Sequence, residues 1–323
     1  MKRVLLIGGT GFVGRHVCER LARRHWAMTV VTRRADQAAA VQHLPRLTVV
    51  QADVHDEATL RRLLPGHDAV VNLVAILHGS EAAFEHTHVE LPAKLARACL
   101  TTGVKRLVHI SALGAEPAAA QSAPSRYLRS KSRGEAELQA AAAQGLQLTV
   151  LRPSVIFGAD DRFLNLFAAL QRVFPVMPLA GARARFQPVW VEDVAQAVAH
   201  CLQDARTAGQ TYELCGPRIY TLAELVRLAG CAAGIAHGRG RPVIPLPASL
   251  GRLQALLMEW APGPTLMSRD NLDSMQADNV ASGRVPGIAA LGITPTGPAA
   301  VAPSCLGPAA DRHVTLRSQF RRR

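Results

Sequence analysis

Seven residues, Gly8-Gly9-Thr10-Gly11-Phe12-Val13-Gly14, constrain this chain more than any other stretch. A short apolar run, Arg3–Ile7, reads as a buried strand and stops on them. A helical pattern (Val13, Val17, Leu21) follows, and then a second apolar run, Met28–Val31. Strand, glycine turn, helix, strand is the unit that binds a dinucleotide. Gly8 permits the tight turn off the strand, Gly11 lets the backbone approach a pyrophosphate, and Gly14 lets helix and strand pack closely. The helix then offers free N–H groups and its positive dipole end to the anion. Thr10, Phe12 and Val13 belong to the same cradle.

The end of the second strand selects the dinucleotide. A site for NAD places Asp or Glu about 20 residues after the glycines, to accept a hydrogen bond from the ribose 2′-OH. Here that place holds Thr32, followed by Arg33 and Arg34. No carboxylate is expected there to repel a 2′-phosphate, and an arginine can clamp one with paired hydrogen bonds. NADP(H) is therefore expected over NAD(H).

Strands and helices keep alternating beyond Arg34. Leu47–Val50 reads as a third strand ending at Asp53-Val54, where an adenine would lie. A short helix, Asp56–Leu64, leads to a fourth strand, Ala69–Val74, which runs into Ala75. A helix from Ala82 to Thr102 precedes a fifth strand, Arg106–Ser111. This alternation predicts an α/β fold, a doubly wound parallel (Rossmann) sheet with a smaller C-terminal lobe. Ligands of such a sheet sit at the carboxyl ends of its strands, so Gly8–Val13, Thr32–Arg34, Asp53, Val74-Ala75 and Ser111 should converge on one crevice.

Sixteen residues past Ser111 come Tyr127-Leu128-Arg129-Ser130-Lys131. A helix over 125–143 puts Tyr127 and Lys131 on one face at i, i+4. The ammonium is expected to lower the phenol's pKa. Ser111 would hold a carbonyl or alcohol while Tyr127 transfers a proton and Lys131 also bonds the cofactor ribose. A sixth strand, Leu148–Leu151, ends in Arg152-Pro153-Ser154-Val155, and Pro153 and Val155 are expected beside the nicotinamide. Asp160 or Asp161 reads as the cap of a helix of about ten residues.

The domain reading follows. Residues 1–155, continued by 186–215, form the NADP-binding domain, and 156–185 with 216–283 form the smaller substrate or partner lobe. In that lobe Thr221 and Glu224 make a capping box for a helix to Ala233. Ser249–Trp260 is amphipathic, with Leu250, Leu253, Leu256 and Leu257 on one face. That face reads as core or interlobe packing, with docking to a partner or membrane edge as the alternative. Residues 284–323 are Pro/Gly/Ala-rich, end in three arginines, and are expected to be poorly ordered.

Composition narrows the function classes. The formal charge is +13, which invites a nucleic-acid reading. Yet the only lysines are Lys2, Lys94, Lys105 and Lys131, and arginine and alanine are abundant throughout. No aromatic-interleaved basic stripe is visible, so no nucleic-acid partner is expected. The six cysteines form no C-x-x-C pair, which argues for a reducing compartment and against a zinc site. His86 and His88 have no acid or cysteine partners at metal-ligand spacing, so no metal is expected. The apolar run after Met1-Lys2-Arg3 is too short for a signal peptide. Prolines break the uncharged stretch 285–310, so no spanning helix is expected there. A cytoplasmic protein is expected, with at most peripheral contact at the inner face of a membrane.

The motifs together resemble the short-chain dehydrogenase/reductase superfamily in its extended or atypical branch. Gly8-x-x-Gly11-x-x-Gly14, Asp53, Ser111, Tyr127-x-x-x-Lys131 and Arg152-Pro153 carry that resemblance. Further likeness lies in Tyr127-Leu128-Arg129-Ser130-Lys131, in Ile156-Phe157-Gly158 with Asp161-Arg162-Phe163-Leu164-Asn165, and in Gln187–Ala195. These stretches are similar to the NAD(P)H-binding accessory subunits of respiratory complex I and their bacterial relatives. The resemblance covers residues 2–280. It implies a tightly held NADPH on Gly8, Gly11, Gly14, Arg33 and Lys131, a structural or regulatory role, and complex I or quinone metabolism as partner. Because Ser111, Tyr127 and Lys131 are all present, an NADP-dependent reductase or dehydrogenase of a small carbonyl or quinone-like substrate is the alternative. A nucleotide-sugar epimerase or dehydratase is a third reading.

Overall fold

The computed structural model describes residues 2–260 and 268–307. The chain opens with β1 (Arg3–Ile7), α1 (Phe12–Arg23), β2 (Ala27–Thr32), β3 (Leu47–Gln51) and α2 (Glu57–Leu63). It continues with β4 (Ala69–Asn72), α3 (Glu81–Glu85), a π-helical turn (His86–Glu90) and α4 (Leu91–Thr102). Then come β5 (Arg106–Ile110), α5 (Arg126–Ala142) and β6 (Gln147–Pro153). From Ser154 the chain builds β7 (Ile156–Phe157), α6 (Leu164–Val173), β8 (Met177–Leu179), β9 (Arg185–Phe186) and β10 (Val189–Trp190). After α7 (Val191–Gln203) and β11 (Thr211–Leu214) come β12 (Tyr220–Thr221), α8 (Leu222–Ala232), β13 (Val243–Pro245) and α9 (Ala248–Trp260). The described residues close with α10 (Arg269–Ser274) and α11 (Pro298–Leu306).

These elements fall into two compact units. The first takes the chain up to Pro153, Val191–Leu214 and Ala281–Thr294. The second takes Ser154–Trp190, Cys215–Val280 and the chain from Pro295 on.

The first unit is a seven-stranded sheet in the order β11-β6-β5-β4-β1-β2-β3, every pair parallel. Successive residues Val4, Leu5, Leu6 and Ile7 are all fully buried, as a parallel strand covered on both faces requires. Leu5 and Ile7 join Leu95, Leu107, Leu138 and Val150 in one core. α1 and α7 are tied by Glu192, which meets His16 Nδ1 at 2.7 Å and Arg20 Nη2 at 3.2 Å.

One stretch differs from its sequence reading. Residues 284–307, expected within a poorly ordered tail, carry built structure. Pro286 O accepts from Glu213 N at 2.9 Å and Gly287 bridges Glu213 in parallel, so this segment covers the edge strand β11. The Glu213 carboxylate, 5% exposed, accepts from Ser282 N at 2.7 Å. Ile288, Leu291 and Ile293 are buried. Proline and glycine made this segment look like linker, but its few apolar residues have a core to join. The arginines at 321–323 lie outside the described residues.

In the second unit α6, α8 and α11 enclose a separate core of Phe157, Leu164, Phe167, Leu225, Val226 and Val301. Three two-stranded pairs, β7–β10, β9–β12 and β8–β13, complete it. Thr221 caps α8: its Oγ1 accepts from Glu224 N at 3.2 Å, while its own N–H donates to Glu224 Oε2 at 2.7 Å. Asp161 does not cap α6 directly. It accepts from Gly158 N, Phe163 N and Asn165 N, folding the turn that leads into it.

Candidate functional site

The parallel sheet brings the carboxyl ends of β1 to β6 to one edge, and the sequence-predicted residues of the first unit lie along it. Gly8 leaves β1 at φ 85°. A Cβ there would stand 3.1 Å from the Leu73 and Val74 backbone. A Cβ on Gly14 would run into Gly8 O and the Gly9 main chain, so α1 starts this close to β1 only because residue 14 has no side chain. Gly11 sits at the N-cap in ordinary extended geometry, with no side-chain cap and no acid in the first turn of α1. Its N–H donates to Gly8 O at 3.1 Å. The first-turn N–H groups of α1 therefore face outward at the positive helix end, the arrangement that receives an anion. Thr10, Phe12 and Val13 are half-buried around it.

At the end of β2 a hydroxyl turn fixes the two arginines. Thr32 Oγ1 donates to Arg34 O at 2.9 Å and accepts from Arg34 N at 3.3 Å. The structure corrects one expectation here, because a carboxylate does stand nearby. Arg34 forks onto Asp36 through Nε–Oδ1 at 3.1 Å and Nη2–Oδ2 at 2.5 Å. That pairing holds the Asp36 carboxyl below the usual range and raises the guanidinium. Arg33 is exposed and carries no ion pair among the described residues. Asp53 is also exposed, and its Oδ1 accepts from His55 N at 3.0 Å. Val54 is buried, Val74 half-buried and Ala75 exposed. Asn72 shapes the turn after β4, accepting from Val74 N at 3.2 Å.

The centre of this edge is built by α5. Ser125 caps the helix, its Oγ accepting from Leu128 N at 3.2 Å. Arg152 grips the fully buried Glu135 through three contacts of 2.6–3.1 Å, fastening α5 to β6. Lys131, 2% exposed, donates to Ile110 O at 2.8 Å. Burial pulls its pKa down to about 8, against a smaller upward pull from Glu135. Ser111 follows directly; its N–H donates to Leu151 O at 2.8 Å. The Ser111 Oγ is buried and has no hydrogen-bond partner. Such an atom costs free energy unless a ligand or water meets it. Pro153 O accepts from Leu113 N at 2.9 Å and holds the loop after Ser111 against β6.

Tyr127 departs from its expected titration. Burial pushes its phenol up to about 12, the opposite of the lowering expected from Lys131. The Tyr127 ring packs edge-on against His88 and Phe84, at centroid separations of 5.4 and 6.2 Å. The Lys131 ammonium is bonded to the strand end.

Sequence reasoning set His88 aside as a metal candidate and assigned it no other role. Ile76 N–H donates to His88 Nε2 at 3.1 Å, so Nδ1 carries the proton and donates to Ser130 Oγ at 2.8 Å. Ser130 donates in turn to Tyr127 O at 2.8 Å. This chain fixes the tautomer. Burial, then Lys131, lowers the His88 pKa to about 3. His88 is thus a neutral strut between the loop after β4 and the turn that carries Tyr127. His109, fully buried on β5, accepts from Asn72 Nδ2 at 3.3 Å. Its pKa also falls well below the imidazole range, through burial, then Lys131, then His88. Among the described residues neither His86 nor His88 belongs to a cluster spaced for a metal. Val155 belongs to the second unit, where its N–H donates to Asn279 Oδ1 at 3.0 Å.

Residues 4–215 match the NAD dependent epimerase/dehydratase family. NADH dehydrogenase (ubiquinone) 1 alpha subcomplex subunit 9 of Mus musculus mitochondria is 30% identical over 299 residues, spanning 90% of this chain and 76% of that protein. Ceramide reductase of Caulobacter vibrioides is 29% identical, over 65% of this chain and 67% of its own. Among solved structures, the dTDP-glucose 4,6-dehydratase DesIV of Streptomyces venezuelae, with NAD bound, superposes with a TM-score of 0.65. It is 25% identical, over 76% of this chain and 84% of that one. The UDP-glucose 4-epimerase of Thermotoga maritima covers 98% of this chain and 99% of its own with a TM-score of 0.68. At 17% identity it speaks for the fold alone.

Proposed function

The chain belongs to the NAD dependent epimerase/dehydratase family, and on that footing we propose that it holds a nicotinamide dinucleotide, NADP(H) before NAD(H), as a structural or regulatory subunit of the respiratory-complex type. The observation that carries the binding is the bare N-terminal turn of α1 above Gly8, closed by Gly14. The orphaned Ser111 Oγ and the buried Lys131 fit the nicotinamide and ribose end of the same ligand. Preference for the 2′-phosphate rests on Arg33, exposed and without an ion pair among the described residues, while Arg34 neutralises Asp36. The accessory-subunit role is supported by the relationship to the mouse subunit over 90% of the chain. Respiratory complex I or a component of quinone metabolism is then the partner. Among the described residues no helix is long and apolar enough to cross a membrane.

A second reading is supported by the buried, unpaired Ser111 hydroxyl, a donor placed to meet a substrate carbonyl. In that reading the protein reduces a carbonyl, and the relative named ceramide reductase lends it support. The bound dinucleotide would supply the hydride. Ser111 donates a hydrogen bond to the carbonyl oxygen and sets its position. Tyr127, kept as phenol by burial, gives that oxygen its proton. Lys131 holds the ribose side, and the His88–Ser130 chain keeps Tyr127 in place.

Calorimetry on protein stripped of small molecules tests the binding: tight heats with NADPH and weaker ones with NADH are expected, and no heat with either overturns the proposal. Hydride transfer to a panel of quinones and aldehydes separates the two readings. A subunit retains its nucleotide through purification and shows no transfer, whereas an enzyme exchanges it and turns over.

A further inference from the structure

Eight large apolar side chains stand out to solvent among the described residues, and six of them come from two stretches of the second unit. Val173 (74% exposed) ends α6 and Phe174 and Val176 follow it before β8; Ile244, Leu250 and Leu253 lie on β13 and α9. The fold sets the two stretches side by side. β8 and β13 pair in parallel with Pro178 opposite Ile244, and Met177 N donates to Pro242 O at 2.9 Å. α9 rests on the segment after β8, where Gly251 is seated so closely that a Cβ would lie 2.7 Å from Ala180 Cβ.

The helix is turned against its own sequence. Its described inner positions are Gly251 and Ala255, both buried, while Leu250 and Leu253 are 52% exposed each. Amphipathic spacing predicts packing by those leucines; at the described positions the small residues pack instead. Leu256 is half-buried, and Leu257 lies outside the described side chains. Leucines on the wet side of a helix whose dry side is glycine and alanine mark a surface made to meet something apolar.

Charge says what. Neither stretch, 172–182 or 237–256, contains an aspartate or glutamate, and between them they carry Arg172, Arg239, Arg241 and Arg252. The acids flanking the face are paired, Asp273 with the 67% exposed Arg252 at 3.9 Å and Glu259 with Arg269 at 3.0 Å. A second copy of the same face would set arginines against arginines, which disfavours a self-complementary contact. We propose that this face docks on the surface of a bilayer containing anionic lipid, its apolar tips in the headgroup layer and its arginines on phosphates. The inference uses the second unit alone and is independent of the dinucleotide reading.

Sedimentation of the full chain with vesicles tests it, using phosphatidylcholine alone and phosphatidylcholine mixed with phosphatidylglycerol. Wild type should bind the anionic vesicles at least roughly tenfold more tightly than the neutral ones, and less tightly as salt rises. The double variant Leu250→Ser/Leu253→Ser, with dinucleotide binding and thermal midpoint unchanged, should lose roughly tenfold in binding. Ile219→Ser, at an exposed apolar position outside the two stretches, should bind as wild type does. Equal affinity for both vesicle types, or full binding by the leucine variant, overturns the proposal. So does self-association that the leucine variant abolishes in protein that ignores vesicles.

Discussion

A tyrosine four residues from a lysine on a helix is expected to lose its proton early, and Tyr127 does the reverse. Desolvation raises the phenol to about 12, and its ring packs on an apolar ring and a histidine that stays neutral. In a reductive role that is the useful state, an acid with a proton to give at neutral pH. Tyr127→Phe should leave NADPH affinity unchanged and, if the protein turns over, lower kcat by about a hundredfold to ten-thousandfold; calorimetry and single-turnover kinetics read the two quantities. Arg33→Ala should weaken NADPH by roughly tenfold or more while leaving NADH nearly unchanged, since a charge-assisted hydrogen bond contributes about 1.5–3 kcal/mol. A parallel fall in both affinities would reassign the phosphate contact. Asp36 was in plain view two residues past Arg34, but sequence alone does not say that the two side chains pair.

At the scale of elements, what the sequence revealed and what it hid divide by distance along the chain. The glycine cradle and the Tyr127–Lys131 spacing were legible because each is a local pattern whose geometry one turn or one helix dictates. The His88–Ser130 contact spans 42 residues, and no periodicity announces it. It depends on the π-helical turn His86–Glu90, which re-aims His88. It depends equally on Gly134, where a Cβ would strike His88 O. Gly134→Ala should therefore push α5 off that turn and destabilise the protein by about 1–3 kcal/mol. The loss should appear as a lower thermal midpoint with weakened dinucleotide binding, because Lys131 rides on the same helix. Ala142→Gly, at the far end of α5, should lower the midpoint at most slightly and spare binding. The parallel, doubly wound sheet was foreshadowed by strand–helix alternation, whereas the strand-like return of residues 281–294 was not. Its proline and glycine content reads as linker, and the long-range pairing with Glu213 together with burial of Ile288, Leu291 and Ile293 makes it structure.

For the whole molecule, the buried bases make stability pH-dependent in a defined direction. His88 binds its proton at about 3 in the fold and near 6.5 when unfolded. Between those values the unfolded chain holds more protons, so the His88 contribution to stability is full above about 6.5 and is lost as pH drops toward 3. His109 adds to the same trend. One such site contributes a slope of at most about 1.4 kcal/mol per pH unit. Chemical denaturation at a series of pH values should show that decline, shallower in His88→Gln; a profile identical in the variant would remove His88 from the account.

The Glu213 carboxylate has a consequence for how the protein is made. β11 is synthesised long before Ser282 and Pro286, so a nascent chain completes its sheet with a bare rim and a Glu213 carboxylate still without its Ser282 donor. Only the arrival of residues 282–287 quenches both. A product cut short at residue 280 would carry every group proposed here for nucleotide capture in the first unit, and would still offer a sticky border to other chains.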